Sequence, residues 1–442
     1  MKNKNDSLHF KKYADFVSRM EAITCRFLNK KELFSIKKEE VEFFINGANA
    51  KEISKHFKSV TRKEYGIFFT DDELAIRVAK RIKKELAAGI KIYDPACGSG
   101  DLLLACSKYM QKKDTLTKTL RFWSNRLSGQ DIFKEFIRSA KSRLFLSCAF
   151  NFCTDFKHVV SGDNYFDNLI VKDFFKSNIS IKNADCIVTN PPFSHVDLTG
   201  KVEWASGNGQ LAGLFIDNLV KKAKNGQRII AVLPDVLRSG SRYEKWRAFI
   251  ASNASNINIE IYGRFSKEAD VDVFILDFVV DKDGPCIKNN FETSNASSKN
   301  KISDIFKVSI GPVVPHRDLQ DGLLVPYVDT QNSPLWAEIT AENLCKYRCT
   351  LKKPPFVVLR RTSGPNDFPR LKSSIIKGNK PVAVENHLIV LEPKDGKLKT
   401  CREFMKIAKS IEATNWINNE IRCRHLTVSV IKKIPIFKFK NR

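Results

Sequence analysis

The chain has 442 residues, of which 43% are hydrophobic, and this content supports sizeable cores and excludes wholesale disorder. It carries 75 Lys and Arg against 49 Asp and Glu, a formal charge of +26, which favours a polyanion such as nucleic acid as the partner. No long apolar stretch or apolar signal core is present, so we expect a cytoplasmic protein without a membrane partner.

In chain order, the hydrophobic pattern predicts four segments. Residues 1–60 have apolar residues at helical spacing and form a predicted helical extension. Residues 61–282 alternate short apolar runs with helical patterns, which predicts an α/β domain with a mostly parallel sheet. Residues 283–302 are rich in Ser, Asn and Lys and predict a linker. Residues 303–442 have Pro-interrupted apolar runs and predict a separate α+β domain.

A glycine-rich loop follows the first predicted strand. The stretch Asp94-Pro95-Ala96-Cys97-Gly98-Ser99-Gly100 precedes a predicted helix, and ligands of doubly wound sheets lie at such strand-to-helix turns. Its glycines allow a ligand to approach the backbone closely. The loop has neither the Gly-Lys-Ser/Thr of a P-loop nor the G-x-G-x-x-G of a dinucleotide site.

Two acids end the next predicted strands. Asp131 follows LSGQ and is a candidate acceptor for both hydroxyls of a ribose, whereas Asp163 follows Val159-Val160 and is a candidate acceptor for an adenine amino group. Taken singly, either acid is better explained as an N-cap or a turn residue. In series at strand ends, they predict one adenosine-containing ligand.

A fourth strand end carries Asn190-Pro191-Pro192-Phe193. Two consecutive prolines end the apolar run ADCIVT, because proline cannot donate to a sheet ladder. The motif therefore places an amide, two rigid residues and an aromatic ring at the sheet edge.

These motifs, in this order, resemble the gamma class of S-adenosylmethionine-dependent N6-adenine DNA methyltransferases of Type I and Type II modification systems. The resemblance covers about residues 60–280, where KEYGIFFTDDELAIRVAKRI is similar to the family's Phe-Thr-Pro cofactor motif with Asp71 in place of the proline. It implies a Rossmann-like methyltransferase sheet followed by a C-terminal target-recognition domain. It also implies action on double-stranded DNA at a prokaryotic nucleoid, in a restriction-modification or defence system with a cognate endonuclease or other subunit.

The resemblance also implies the roles of individual residues. Asn190, Pro191, Pro192 and Phe193 would form the catalytic motif, and Phe193 and Phe265 would stack on the extruded target base. The residues that would hold S-adenosylmethionine are Phe69, Thr70, Asp94, Cys97, Gly98, Gly100, Asp131, Ile132 and Asp163.

The Asn-Pro-Pro-Phe motif suits an amino group whose lone pair is delocalised into a ring. Two acceptors, the Asn190 side-chain oxygen and the Pro191 carbonyl, localise that lone pair by accepting hydrogen bonds from both N–H groups. This chemistry needs no base before methyl transfer, so His195 is not assigned a catalytic role.

Basic residues of the last third and of a segment after residue 237 are candidate DNA contacts, although each is also explained as part of a solvated basic face. The candidates are Arg238, Arg242, Arg360, Arg361, Arg370, Lys372, Arg422 and Arg424. Cys345 and Cys349 approach metal-ligand spacing, but no second Cys or His pair completes a zinc site, so no bound metal is predicted.

Four alternatives stay open at this stage. The same motif serves methyltransferases acting on RNA adenine or on a glutamine amide of proteins, although the basic C-terminal third argues against the protein substrate. Methyl transfer to cytosine N4 of DNA is a third alternative, although such enzymes more often carry Ser in place of Asn190. A different class is a DNA-binding specificity protein whose catalytic half has decayed, and the intact glycine loop and Asn190 argue against it.

Overall fold

The computed structural model describes residues 4–29, 32–57, 70–152, 160, 164–176, 181–265, 271–284, 291 and 300–436. The chain forms two compact units. Unit 1 comprises residues 1–238 and 242–291, and unit 2 comprises residues 239–241 and 292–442. The predicted linker, 283–302, lies mostly outside the described residues.

The strands of unit 1 are β1 (Ile92–Asp94), β2 (Leu127–Asp131), β3 (Leu169–Val171), β4 (Cys186–Thr189), β5 (His195–Asp197), β6 (Asn208–Gln210), β7 (Arg228–Pro234), β8 (Ala254–Arg264) and β9 (Asp272–Val280). Its helices are α1 (Lys4–Arg26), α2 (Lys38–Ile45), α3 (Ala48–His56), α4 (Asp72–Lys80), α5 (Lys83–Ala88), α6 (Asp101–Ser107), α7 (Leu116–Ser124), α8 (Lys134–Phe152), α9 (Leu211–Lys222), α10 (Asp235–Ser239) and α11 (Glu244–Ser252).

Seven of these strands form one sheet in the order β3-β2-β1-β4-β7-β9-β8. The strands from β3 to β7 are parallel, and β9 runs antiparallel to both β7 and β8. All residues of β1 and β4 are buried, as expected for continuous apolar runs covered on both faces. The predicted Rossmann-like sheet is confirmed. Its third strand is Leu169–Val171, later in the chain than the predicted pair Val159-Val160.

The N-terminal helices are part of unit 1. In α1, Tyr13, Phe16, Val17 and Met20 recur at helical spacing and are all buried. They belong to the same hydrophobic cluster as the sheet residues. The helical pattern predicted for residues 1–60 is therefore present, and this segment contributes to the core of the sheet unit.

Unit 2 has the strands β10 (Phe306–Ile310), β11 (Val325–Val328), β12 (Glu338–Thr340), β13 (Leu344–Cys345), β14 (Phe356–Arg360), β15 (Ser373–Lys377), β16 (Ala383–Val384) and β17 (Leu388–Pro393). Its helices are α12 (Ile302–Ile305), α13 (Leu398–Lys409), α14 (Ile411–Glu420) and α15 (Val428–Lys433).

A five-stranded sheet in the order β10-β17-β14-β15-β12 organises unit 2. Alternate residues of β14 face two different clusters: Val357 and Leu359 pack with the helices, and Phe356 and Val358 pack on the opposite face. The α+β architecture predicted for this region is confirmed. No helix in the described part of the chain combines the length and apolar character needed to span a membrane.

Candidate active site

A cleft of about 350 Å³ opens at the carboxyl ends of β1, β2 and β4, within the size range of small-molecule sites. Its lining includes Thr70, Asp94, Gly98, Asp131, Ile132 and Asn190. Cys97 and Pro192 also line it. Parallel strands end at one edge of a sheet, and for this reason motifs far apart in sequence meet here.

The glycine loop turns sharply between β1 and α6. Gly98 and Gly100 have φ of 50° and 84°, in the left-handed region that favours glycine. A Cβ on Gly100 would lie 3.1 Å from the Cβ of Ala140, so α8 packs closely against the loop. The backbone nitrogen of Gly98 donates to Oδ2 of Asp131 at 3.0 Å, which joins the loop to the end of β2.

Three acids that line the cleft, Asp94, Asp101 and Asp131, have pKa values that burial raises. Asp94 is 1% exposed, and burial is the main cause that raises its pKa to about 8, with the charge of Asp131 adding to the shift. Burial also raises the pKa of Asp131 to about 6, although the backbone nitrogens of Phe133 and Gly98 donate to its carboxylate and oppose the shift. Such shifts are common at functional sites.

The Asn190 amide is oriented by a residue from another element. Its Nδ2 donates to Oγ1 of Thr70 at 3.0 Å, and Thr70 is 6% exposed. Because this contact engages the amide nitrogen, it holds the amide in the orientation that an acceptor role for Oδ1 requires. The sequence predicts Thr70 as a cofactor contact and carries no signal of its bond to a residue 120 positions later.

Asp71 stands where the Phe-Thr-Pro motif that this stretch resembles has proline. Its φ of −63° is the value that proline would impose. Its Oδ1 also caps α4 by accepting from the backbone nitrogen of Leu74 at 2.7 Å. The hydroxyl of Tyr262 donates to the same carboxylate, at 3.2 Å to Oδ2, which ties this turn to β8.

The two aromatic residues predicted to stack on the target base, Phe193 and Phe265, are both buried. Phe193 is 8% exposed, and its ring meets that of Phe265 edge-on at a centroid distance of 5.3 Å. Phe265 is 1% exposed and presents no face to the cleft, so its predicted stacking on the base is corrected to support of the Phe193 ring. Pro191 is buried, and the stacking role of Phe193 stays a prediction.

Side chains of α1, α3 and α8 form a hydrogen-bonded network with the glycine loop. The hydroxyl of Tyr13 lies 2.9 Å from Oγ of Ser99 and donates to Oδ1 of Asn49. Arg143 donates to the Ser99 carbonyl at 2.7 Å and pairs with Asp101 at the same distance. Sequence reasoning missed this network because its members lie up to 130 residues apart and share no local spacing.

Two predicted cofactor residues, Phe69 and Asp163, lie outside the described residues. The acid that lines the cleft beyond β3 is Asp173, and its Oδ1 accepts from the backbone nitrogen of Phe175. Its sequence signal is its place two residues after the end of β3, comparable to that of Asp131 at the end of β2. Ile132 is 56% exposed in the cleft, a position that an apolar ligand face would cover.

The candidate DNA contacts of unit 1 differ from one another. Arg238 is 4% exposed and pairs with Asp235 at 2.7 Å inside α10, so its predicted contact with DNA is wrong for this structure. Arg242 is exposed and donates to the carbonyl of Ser206. Its contact with DNA stays a prediction.

In unit 2, Arg370 is fully buried and donates to backbone carbonyls, so it is a structural residue, and its predicted contact with DNA is corrected. Arg360 and Arg361 are partly buried and donate to the carbonyls of Thr330 and Asn386. For these two, and for Lys372, Arg422 and Arg424, DNA contact stays a prediction. The amino-acid sequence does not show which arginines are buried, because burial depends on contacts that form only in the folded chain.

Known proteins resemble this chain in sequence and fold. Over 219 residues it is 27% identical to the Type II methyltransferase M.BanIII of Aneurinibacillus aneurinilyticus, covering 45% of this chain and 36% of that protein. The restriction-modification enzyme MmeI, solved with DNA, is 11% identical with a TM-score of 0.54, covering 88% of this chain and 71% of that one. This similarity is one of fold.

A modification subunit of a putative type I restriction enzyme from Vibrio vulnificus YJ016 is 16% identical with a TM-score of 0.39, covering 55% of this chain and 50% of that one. The chain thus spans about a third of the curated relative and half of this subunit. Residues 51–258 match the family model described as N-6 DNA Methylase. The match covers 208 of the 442 residues, so the similarity to this family concerns part of the chain.

Proposed function

We propose that this chain transfers a methyl group from S-adenosylmethionine to the N6 nitrogen of an adenine in double-stranded DNA, as part of a restriction-modification system. The observation that carries the proposal is the single cleft in which the glycine loop, Asp131 and Asn190 meet. The family match over residues 51–258 and the relative described as a Type II methyltransferase support the same activity.

The cleft fits this cofactor in shape and in charge. The exposed side chain of Ile132 offers an apolar surface for an adenine ring, and Asp131 beside it offers two oxygens for ribose hydroxyls. Asp94, Gly98 and Thr70 remain for the methionine half, where the Asp94 carboxyl can pair with the ammonium group of the ligand once it ionises. Bound here, S-adenosylmethionine would supply an electrophilic methyl group.

The residues of the motif act on the target amino group. Oδ1 of Asn190 and the carbonyl of Pro191 accept hydrogen bonds from its two N–H groups, and the nitrogen lone pair is then no longer conjugated with the ring. The rigid Pro191-Pro192 pair holds these acceptors, and Thr70 holds the amide. No carboxylate is needed as a base in this step, because the nitrogen gives up its proton after it has formed its new bond.

The substrate is proposed from charge and from the chemistry of the motif. The formal charge of +26 favours a nucleic acid, whose phosphates would attract the chain in a salt-dependent way. An adenine in a duplex must be extruded at a cost of a few kcal/mol, to which stacking on Phe193 would contribute. A restriction endonuclease of the same system is the proposed partner.

Long-read sequencing of DNA from an expressing host without adenine methylation tests the proposal. We expect N6-methyladenine within one sequence motif from the wild-type chain and none from Asn190→Ala, with calorimetry giving the same cofactor affinity for both purified proteins. Modified cytosine, or methyladenine in RNA alone, would support an alternative instead. Full modification by Asn190→Ala would contradict the mechanism.

A further inference from the structure

The N-terminal helix α1, Lys4–Arg26, lies outside residues 51–258, which match the family model, and no motif of the sequence assigns it a role. Two of its side chains, Phe10 and Tyr13, contact residues that form or support the wall of the cleft. Helix α1 therefore has two routes by which it can influence a ligand in the cleft.

The first route is a buried hydrogen bond from Tyr13 to the glycine loop. The Tyr13 hydroxyl donates to Oδ1 of Asn49 in α3 at 2.5 Å and lies 2.9 Å from Oγ of Ser99. A tyrosine hydroxyl has one proton, so Ser99 is the donor in the second bond. Each of the three side chains is at most 1% exposed, and water has little access to replace either bond.

This bond acts on the most adaptable part of the loop. Ser99 lies between Gly98 and Gly100, which both have positive φ, and glycine permits several backbone conformations. The side chain of Ser99 is held by Tyr13, and its carbonyl accepts from Arg143 at 2.7 Å. The contacts of Ser99 therefore select one conformation for the neighbouring Gly98, which lines the cleft.

The second route is aromatic. The ring of Phe10 stacks on that of Phe133, with centroids 4.8 Å apart, and the ring of Tyr13 meets that of Phe136 edge-on at 5.5 Å. Phe133 and Phe136 both line the cleft, at the turn after β2 and in the first turn of α8. Helix α1 thus packs directly against two rings of the cleft wall.

The two routes meet at Asp131, the candidate acceptor for the ribose hydroxyls. Its Oδ2 accepts from the backbone nitrogen of Gly98 at 3.0 Å, and its Oδ1 accepts from that of Phe133 at 2.9 Å. Helix α1 contacts the residue after Gly98 and the ring of Phe133 itself. Both donors that orient the carboxylate therefore belong to segments that α1 holds.

We propose that α1 is part of the cofactor site although Tyr13 is fully buried behind the cleft wall. Tyr13 and Phe10 are positioning residues that hold the glycine loop and Phe133, and with them Asp131, in the binding conformation. Docking of α1 and binding of S-adenosylmethionine are therefore linked, and each strengthens the other by the same factor. This inference rests on the proposed function for the identity of the cofactor.

Calorimetry with S-adenosylmethionine, in the absence of DNA, tests the role of Tyr13. Tyr13→Phe keeps the ring and removes the hydroxyl, and it should raise the cofactor dissociation constant at least about fivefold while turnover at saturating cofactor stays normal. Ser99→Ala should also weaken binding, and the two effects should be less than additive because both changes remove the same bond. Tyr243→Phe is the matched control, since Tyr243 is buried in the same unit and its hydroxyl accepts from the backbone nitrogen of Gln210.

Hydrogen exchange measures the linkage in the unaltered chain. Amides of α1 should exchange more slowly when S-adenosylmethionine is saturating, because the cofactor favours the docked helix. Amides of α14, Ile411–Glu420, are the control region, because this helix belongs to unit 2.

Wild-type cofactor affinity of the Tyr13→Phe chain would overturn the inference, and so would exchange in α1 that does not respond to the cofactor. An equal loss of affinity in Tyr13→Phe and Tyr243→Phe would also overturn it, because the effect would then be one of general stability. A chain that shows the linkage but methylates no adenine in DNA would refute the proposed function alone. A chain that methylates DNA with an affinity for the cofactor independent of Tyr13 would refute this inference alone.

Discussion

Replacing Thr70 with valine tests how the Asn190 amide is held. Valine keeps the shape of threonine but removes the hydroxyl that accepts from Nδ2 of Asn190 at 3.0 Å. Thr70 is 6% exposed, so water has little access to replace the lost acceptor. Loss of one partner of a buried hydrogen bond costs about 1–3 kcal/mol. If the oriented amide is needed in the transition state, the methyl-transfer rate falls about 5- to 150-fold.

The assay is single-turnover methylation of duplex DNA at saturating labelled S-adenosylmethionine, beside calorimetry of cofactor binding. We expect a slower transfer step at saturating cofactor, and Thr70→Ser should restore the rate because it restores the hydroxyl. Thr70 also lines the cleft, so calorimetry measures any loss of cofactor affinity separately. Thr119→Val is the control for a buried Thr-to-Val change, since Thr119 is buried in α7 and does not line the cleft.

Two results would refute this reasoning. A wild-type transfer rate for Thr70→Val would show that the hydrogen bond does not orient the catalytic amide. A weaker cofactor affinity together with a normal rate at saturation would assign Thr70 to the cofactor alone, as the sequence motif predicts.

Two further predictions concern cofactor binding. The pKa of Asp131 is raised to about 6 and that of Asp94 to about 8, so both acids are protonated at low pH, and affinity for a cationic cofactor should rise as pH increases through this range. The unliganded chain should lose stability over the same range, because the buried groups ionise; calorimetry and thermal melting measure both trends, and a flat affinity profile would contradict the assignment. Gly129→Ala should weaken cofactor binding at least about tenfold, because its Cβ would lie 2.7 Å from the Asp94 carbonyl and 3.1 Å from the Cβ of Cys97. Gly364→Ala, with open space around its Cβ, is the matched control, and equal affinities for the two variants would refute the steric argument.

Several features of the fold and the cleft were predictable because their causes are local in the chain. The apolar runs of β1, β4 and β7 are continuous, as central parallel strands require, and each predicted a strand that the structure contains. The turn after β1 needs glycine at Gly98 and Gly100, whose φ values are positive, and Pro191-Pro192 follows one residue after the end of β4. Parallel strands then place these turns at one edge, so the meeting of Asp94, Asp131 and Asn190 follows from the order of elements alone.

Tertiary structure decided what the long side chains contact and which of them are buried. The bond from Asn190 to Thr70 and the contact of Tyr13 with Ser99 join residues 120 and 86 positions apart, and nothing near either residue in the chain indicates its partner. Arginine is mostly an exposed residue type, yet Arg370 is buried, and the backbone carbonyls of Ser363, Ile421 and Cys423 accept hydrogen bonds from its guanidinium. Helix and strand propensity and the order of the strands depend on residues that are neighbours in the chain. Burial and side-chain partners depend on surfaces that exist only after the elements have packed.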